Sequence, residues 1–304
     1  MKHSFTRRDF LIAAAAAAAD SVSREVSASP PPAAILSERL SFAPDKAVDR
    51  IVDMHVHFDE KMPNFIGDLL KLSDRLNLTA CVLTPFAHRK VIANAAKQHP
   101  TQIIPFGFID LDAPNAVQQV KELRALGYRG LGELNFVRRP YTDPLYMPVY
   151  ELANQYQWIV LFHTGIVMRA KFDESEDVAS YRMRAFYLEE IARRFPKIMV
   201  LGAHCGNPEY EWAAEVARWN PNVFFDLSGS TLTKMRGHLD GLQKHFWWSG
   251  AEWGANLPDG DSSAFSKLVF GSDTSLDGIE GVLAQYRAMF GACDVPSRTQ
   301  KLIL

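Results

Sequence analysis

Eight short apolar runs, separated by stretches of mostly helical character, cross this chain, and that alternation leaves few folds open to it. The runs span residues 51–57, 79–86, 103–110, 130–136, 158–164, 198–206, 223–229 and 268–273. Strands alternating with helices build βαβ units and a parallel sheet. Eight such units in roughly 250 residues predict an α/β protein of the (β/α)8 TIM-barrel kind. The segments between the runs agree. Residues 63–77 carry Phe65, Ile66, Leu69, Leu70, Leu72 and Leu76 close to a 3.6-residue period. Residues 114–126 stop at Gly127, 181–195 before Pro196, and 208–219 before Asn220 and Pro221, while 277–290 runs to Gly291. The stretch 231–266 is longer and less regular, which predicts an insertion after the seventh strand.

In such a barrel, chemistry collects at the C-terminal ends of the strands. The first run reads Ile51-Val52-Asp53-Met54-His55-Val56-His57, and a period of two points Asp53, His55 and His57 the same way. Glu133 lies in the fourth run; His163 closes the fifth, His204 the sixth and Asp273 the eighth, while the seventh carries Asp226 and Ser228. A catalytic zinc site takes three protein ligands and keeps a position open. His55, His57, His163 and Asp273 are the candidates for it, and Glu133 with His204 would complete a second ion site, with Glu133 as the bridge. Each has a plainer reading alone. A strand histidine can be structural, Glu133 can pair with Arg129 or Arg138, and Asp273 can cap the next helix. The force lies in the combination. One or two divalent ions are implied; the donors suit zinc, and manganese, iron or nickel share them.

The N-terminus reads differently. Ser4-Phe5-Thr6-Arg7-Arg8-Asp9-Phe10-Leu11-Ile12 has the form of a twin-arginine export signal. The apolar stretch 11–19 is too short to span a bilayer, and Val26-Ser27-Ala28 offers small residues for cleavage. Residues 1–28 are therefore predicted to be a signal peptide, 29–49 a flexible lead-in, and 50–304 the metal-dependent barrel. This implies the twin-arginine translocation machinery as a partner, with a periplasmic or exported destination. No cysteine lies near the cleavage region, so no stable membrane anchor is expected. The chain carries 33 basic and 35 acidic side chains, a net charge of −2. It has no basic stripe, which argues against nucleic acid and leaves a small-molecule substrate as the expected ligand. Self-association as a homo-oligomer is left open. Cys81, Cys205 and Cys293 form no disulfide framework.

The Asp53-Met54-His55-Val56-His57 start, Gly130-Leu131-Gly132-Glu133, the His163 and His204 strand ends and Gly271-Ser272-Asp273 together resemble the amidohydrolase superfamily. Phe162-His163-Thr164-Gly165, Gly202-Ala203-His204-Cys205-Gly206 and Phe225-Asp226-Leu227-Ser228-Gly229 are most similar to its amidohydrolase-related branch. That branch holds hydrolases, lactonases and decarboxylases. The resemblance covers roughly residues 50–304. It implies that His55, His57, His163 and Asp273 are metal ligands. It also implies that His204 either binds a second ion or polarises the substrate, and that Glu133 stands where a bridging carboxylate is found. Relatives usually run on past the position of Leu304, so a longer chain is expected.

Two reactions follow from this set. In the first, a metal-activated water attacks an amide, ester or lactone carbonyl. Asp273 carries the proton and His204 steadies the oxyanion. In the second, a lyase releases carbon dioxide from an aromatic or unsaturated acid on one ion. Arg138, Arg139 and Arg169 follow strands four and five and are candidates for holding an anionic substrate. Trp247, with Phe246, Trp248 and Trp253, is a candidate roof for the pocket or packing on the barrel. A third reading is a periplasmic metal-binding protein without turnover.

Overall fold

The computed structural model describes residues 50–168, 178–246 and 264–304. The export segment, the lead-in, Arg169, Trp247, Trp248 and Trp253 lie outside the described residues. The described residues form seven strands: β1 (Ile51–His57), β2 (Leu78–Pro85), β3 (Ile103–Phe108), β4 (Gly130–Leu134), β5 (Ile159–Phe162), β6 (Met199–Gly202) and β7 (Val223–Phe225). All neighbours are parallel and the sheet order follows the chain. Helices Phe65–Leu76, Arg89–Gln98, Ala116–Ala125, Met147–Gln155, Tyr187–Arg194 and Tyr210–Trp219 return the chain between successive strands. Helix Tyr187–Arg194 starts later than its sequence predicts, because a 3-10 turn over Ser180–Met183 and an extended Arg184 precede it.

The sheet curls around one apolar cluster and faces the helices with another. Inside the curl lie strand residues from six of the strands, including Val52, Met54, Leu83, Phe106, Leu161, Leu201 and Phe224, with Val269. The outer cluster joins strand residues such as Val56, Val82 and Val160 to helix residues such as Leu69, Ile92 and Val120. This division corrects one expectation. Strict alternation would put Val52, Met54 and Val56 on one face, but the register of β1 against β2 shifts between Asp53 and Val56. Asp53 is thereby separated from His55 and His57.

The eighth run does not form a strand among the described residues. Leu268 makes an isolated parallel bridge to Phe225, and the Val269 N–H donates to the Phe225 carbonyl at 2.9 Å. On its other side the Met54 N–H donates to Phe270 O at 2.9 Å, and the Asp273 N–H donates to His55 O at 2.8 Å. The run therefore bonds to both edges of the sheet. Regular pairing is interrupted because carbonyls from the C-terminal segment take N–H groups there: Val52 donates to Leu304 O at 2.6 Å and Phe270 to Ile303 O at 2.7 Å. The described parts of the long region after β7 form short helical turns over Thr231–Lys234, Leu239–Leu242 and Gln243–Phe246, then Ala264–Lys267. Among the described residues no helix is long and apolar enough to cross a membrane.

Candidate metal centre

Six side chains from five of the eight runs converge at the C-terminal edge of the sheet. His55 and His57 come from β1 and Glu133 from β4; His163 follows β5, His204 follows β6, and Asp273 ends the eighth run. They form two adjoining groups of potential metal donors, His55, His57 and Asp273 in one and Glu133, His163 and His204 in the other. In the first, His55 Nε2 lies 3.1 Å from His57 Nε2 and 3.5 Å from Asp273 Oδ1, which is 3.3 Å from His57 Nε2. In the second, Glu133 Oε1 lies 2.8 Å from His163 Nδ1 and 3.3 Å from His204 Nε2. Glu133 Oε2 reaches back toward the first group, 3.8 Å from His55 Nε2 and 3.7 Å from His57 Nε2. All six candidates from the sequence are thus brought together.

The local backbone aims these groups. The Tyr141 hydroxyl lies 2.5 Å from the Leu134 carbonyl and 2.9 Å from that of His163, its single hydrogen shared between them, which ties the ends of β4 and β5. The Thr164 hydroxyl donates to Ala203 O and accepts from the Gly206 N–H, which ties β5 to the turn after β6. His204, Cys205 and Asp273 adopt left-handed backbone conformations, with φ of 62°, 49° and 47°. Buried Tyr286 spans the last gap: its hydroxyl accepts from the Leu227 N–H at 2.6 Å and donates to Val269 O at 3.2 Å.

Charge in the centre is strongly coupled. Burial works against an imidazolium at His55, yet Asp273, Asp226 and Glu133 hold its pKa well above the usual histidine value. Burial works against a carboxylate at Glu133, yet His163, His204 and His55 hold it well below the usual range. Asp273 is lowered in the same way, with His55 and His57 outweighing burial. Three carboxylates packed together need compensating positive charge. The field that favours a proton on His55 equally favours a divalent cation. The Nε2 of His163 is buried without a hydrogen-bond partner, which leaves an imidazole donor open to one. Imidazole and carboxylate together fit a divalent ion in donor number and type.

Other expectations resolve differently. Asp53 does not join the donors; its Oδ1 accepts the N–H groups of His55 at 3.0 Å and Ser272 at 2.9 Å, bracing β1 against the eighth run. Burial raises its carboxyl pKa to about 6. Arg138 and Arg139 are exposed, and Arg139 pairs with Asp112 at 2.9 Å, with Asp143 at 3.8 Å beyond it. That engages Arg139 with the loop after β3, where the sequence suggested a clamp for substrate. Phe246 is buried, its ring 5.6 Å from that of Phe265, so it packs rather than roofs. At the mouth His57, Phe58, Asp59, Asp273, Thr274 and Ser275 line a cavity of about 360 Å³. Asp226 and Ser228 were named as part of the seventh run without a role, and both lie against the donor histidines. The signal was their place just past the end of the seventh strand, where the other donors also fall on their strands.

Comparison with known proteins places this geometry in context. The family model described as Amidohydrolase matches residues 52–277. A probable 2-pyrone-4,6-dicarboxylic acid hydrolase from Acinetobacter baumannii has a similar structure, with a TM-score of 0.53, 15% identity, and coverage of 84% of this chain and 96% of that one. For a 2,6-dihydroxybenzoate decarboxylase from Rhizobium the values are 0.54, 12%, 84% and 95%. For an uncharacterised TIM-barrel protein from Bordetella bronchiseptica they are 0.57, 14%, 84% and 95%. At these identities the likeness is one of fold. Comparison with curated proteins by sequence gives no match.

Proposed function

The chain belongs to the amidohydrolase family, and from that premise we propose that it is a metal-dependent hydrolase of amide, ester or lactone carbonyls. One observation carries the reading: Glu133 stands between the two donor groups, with one oxygen toward His163 and His204 and the other toward His55 and His57. A carboxylate placed there would suit a pair of ions, with His55, His57 and Asp273 to hold one and Glu133 with His163 to hold the other, leaving His204 to face the substrate. Bound divalent ions supply Lewis-acid polarisation of a carbonyl and a water acidified to a pKa of about 7. The residues of the chain supply the rest. Asp273, one quarter exposed beside the mouth cavity, is held as a carboxylate that takes a proton and returns it to the leaving group. His204 turns its Nε2 toward Asp273 at 3.9 Å and steadies charge developing on the substrate oxygen. Zinc is the ion proposed; manganese, iron and nickel share its donors.

Metal content per chain, measured on protein purified without chelator and paired with turnover of ester, lactone and amide panels, tests this. About two ions per chain with hydrolysis is the expected result. About one ion, with no hydrolysis on any panel, overturns it.

A second reading is a decarboxylase of aromatic or unsaturated acids, and one observation favours it. Both oxygens of Glu133 already have hydrogen-bond partners, His163 at 2.8 Å and Asn135 at 3.3 Å. That leaves His55, His57 and Asp273 to hold one ion. Carbon dioxide released from an aromatic-acid panel by one-ion protein would establish this reading over the first. The same proposal includes an eight-unit barrel closed by the eighth run, and export directed by Arg7 and Arg8. Retention of unprocessed precursor in the cytoplasm after Arg7→Lys with Arg8→Lys supports export; unaltered processing counts against it.

A further inference from the structure

One carboxylate faces both halves of the centre. Asp226, fully buried just after β7, has its Oδ2 3.0 Å from His55 Nδ1. Its Oδ1 accepts the backbone N–H groups of His204 at 2.8 Å and Ser228 at 2.9 Å, and lies 2.6 Å from Ser228 Oγ. Ser228 Oγ in turn lies 2.9 Å from His204 Nδ1 and 3.4 Å from His55 Nδ1.

Elementary chemistry fixes the direction of these bonds. A carboxylate only accepts, and a serine hydroxyl has a single hydrogen to give. The Ser228 hydrogen goes to Asp226 Oδ1, so its oxygen accepts from His204, whose Nδ1 must carry a hydrogen. His55 Nδ1 donates to Oδ2 by the same count. Each ring is thus committed at Nδ1 and offers the centre its Nε2. The distances agree: His55 Nε2 lies 3.1 Å from His57 and 3.5 Å from Asp273, and His204 Nε2 lies 3.3 Å from Glu133. Small residues admit the arrangement. A Cβ on Gly229, whose φ is 62°, would lie 2.9 Å from His204 Nδ1, and a Cβ on Gly271 would lie 2.8 Å from Asp226 Cβ.

We propose that Asp226 is a positioning residue for both imidazoles, His55 directly and His204 through Ser228, and that this asymmetry divides their tasks. A carboxylate behind an imidazole raises its strength as a ligand, which makes His55 the fixed donor to the ion. A hydroxyl gives weaker support, which leaves His204 the adjustable group that meets the substrate. The division of tasks rests on the metal-dependent reading; the bond directions stand without it.

The test uses protein labelled with 15N-histidine, its Nδ1–H signals assigned through His55→Gln and His204→Gln, together with zinc affinity by chelator competition. In the parent protein both rings are expected to show a slowly exchanging Nδ1–H. Ser228→Ala is expected to remove the His204 signal, keep that of His55, and lower zinc affinity by less than about tenfold. Asp226→Asn is expected to remove both signals and lower zinc affinity by roughly 10–100-fold. An unchanged His204 signal in Ser228→Ala overturns the relay, and full zinc affinity in Asp226→Asn overturns the positioning role. If Asp226→Asn fails to fold, Ser228→Ala decides alone: loss at His204 without loss at His55 supports the proposal, and any other pattern overturns it. Failure of the parent protein to take up zinc would instead remove the metal-dependent reading, and with it the division of tasks, while the nitrogen-bound protons still report on the relay.

Discussion

The two donor groups face different surroundings. In the outer one, the side chains of His57 and Asp273 are 42% and 25% exposed. In the inner one, those of Glu133, His163 and His204 are 5%, 11% and 10% exposed. Water can hydrate charge at His57 and Asp273, although His55 beside them is buried, so these two need their partners less. The inner group is closed to water and is satisfied by its own members with Asn135 and Ser228, so removing Glu133 strands its imidazoles. The outer group is therefore where chemistry can be altered cheaply, and the inner group is part of what holds the C-terminal edge of the sheet together.

The sharpest probe of this contrast is Asp273→Asn. Turnover is expected to fall about 10²–10⁴-fold while the ion stays largely bound. Steady-state rates, metal analysis and a melting curve check this, and retained turnover would remove Asp273 from its role. Next is Glu133→Ala in the inner group. It takes the shared acceptor from buried imidazoles and is expected to cost roughly 3–5 kcal/mol of folding stability by urea unfolding. A loss inside the usual surface range of about 0.5 kcal/mol would break the comparison.

His57→Gln should separate the groups from the other side. Ion affinity is expected to drop by about tenfold or more, with stability held within roughly 0.5 kcal/mol. A separate probe is the buried amine at the other end of the sheet. The Lys267 amine donates to the carbonyls of Asn220 at 3.1 Å and Pro221 at 3.0 Å, and burial pushes its pKa down to about 7. The unfolded chain keeps that proton up to the ordinary lysine value, so it binds more protons than the folded chain above pH 7. Stability contributed by this group therefore rises with pH from about 7 to about 10.5, by at most roughly 1.4 kcal/mol per unit. Lys267→Met should flatten that slope in melts taken across this range. A slope unchanged in the variant would assign the pH dependence to other groups.

Much of the centre was legible because its residues are chemically conspicuous and sit where runs of apolar residues stop. His55, His57, His163, His204 and Asp273 needed only residue type and period. What was hidden depends on distant backbone. The shift in β1 that parts Asp53 from His55 arises in pairing with β2. The eighth run loses regular pairing to the carbonyls of Ile303 and Leu304, some thirty residues further on. Helix Arg89–Gln98 was not singled out, because it buries mostly alanine beside Ile92 and shows little apolar signal. Arg139 looked available in sequence, since nothing local announces Asp112 as its partner.

The left-handed backbone at His204, Cys205 and Asp273 has a consequence for anyone seeking a hardier form of this protein. Non-glycine residues in that conformation cost about 1–2 kcal/mol each. Glycine at 273, in the part-exposed outer group, would relieve the cost, and a screen that rewards heat resistance alone would favour it there. That gain would delete a side chain from the centre. Selection for durability and selection for turnover therefore pull in opposite directions at this position, and a thermostable variant that retains activity must find its improvements elsewhere.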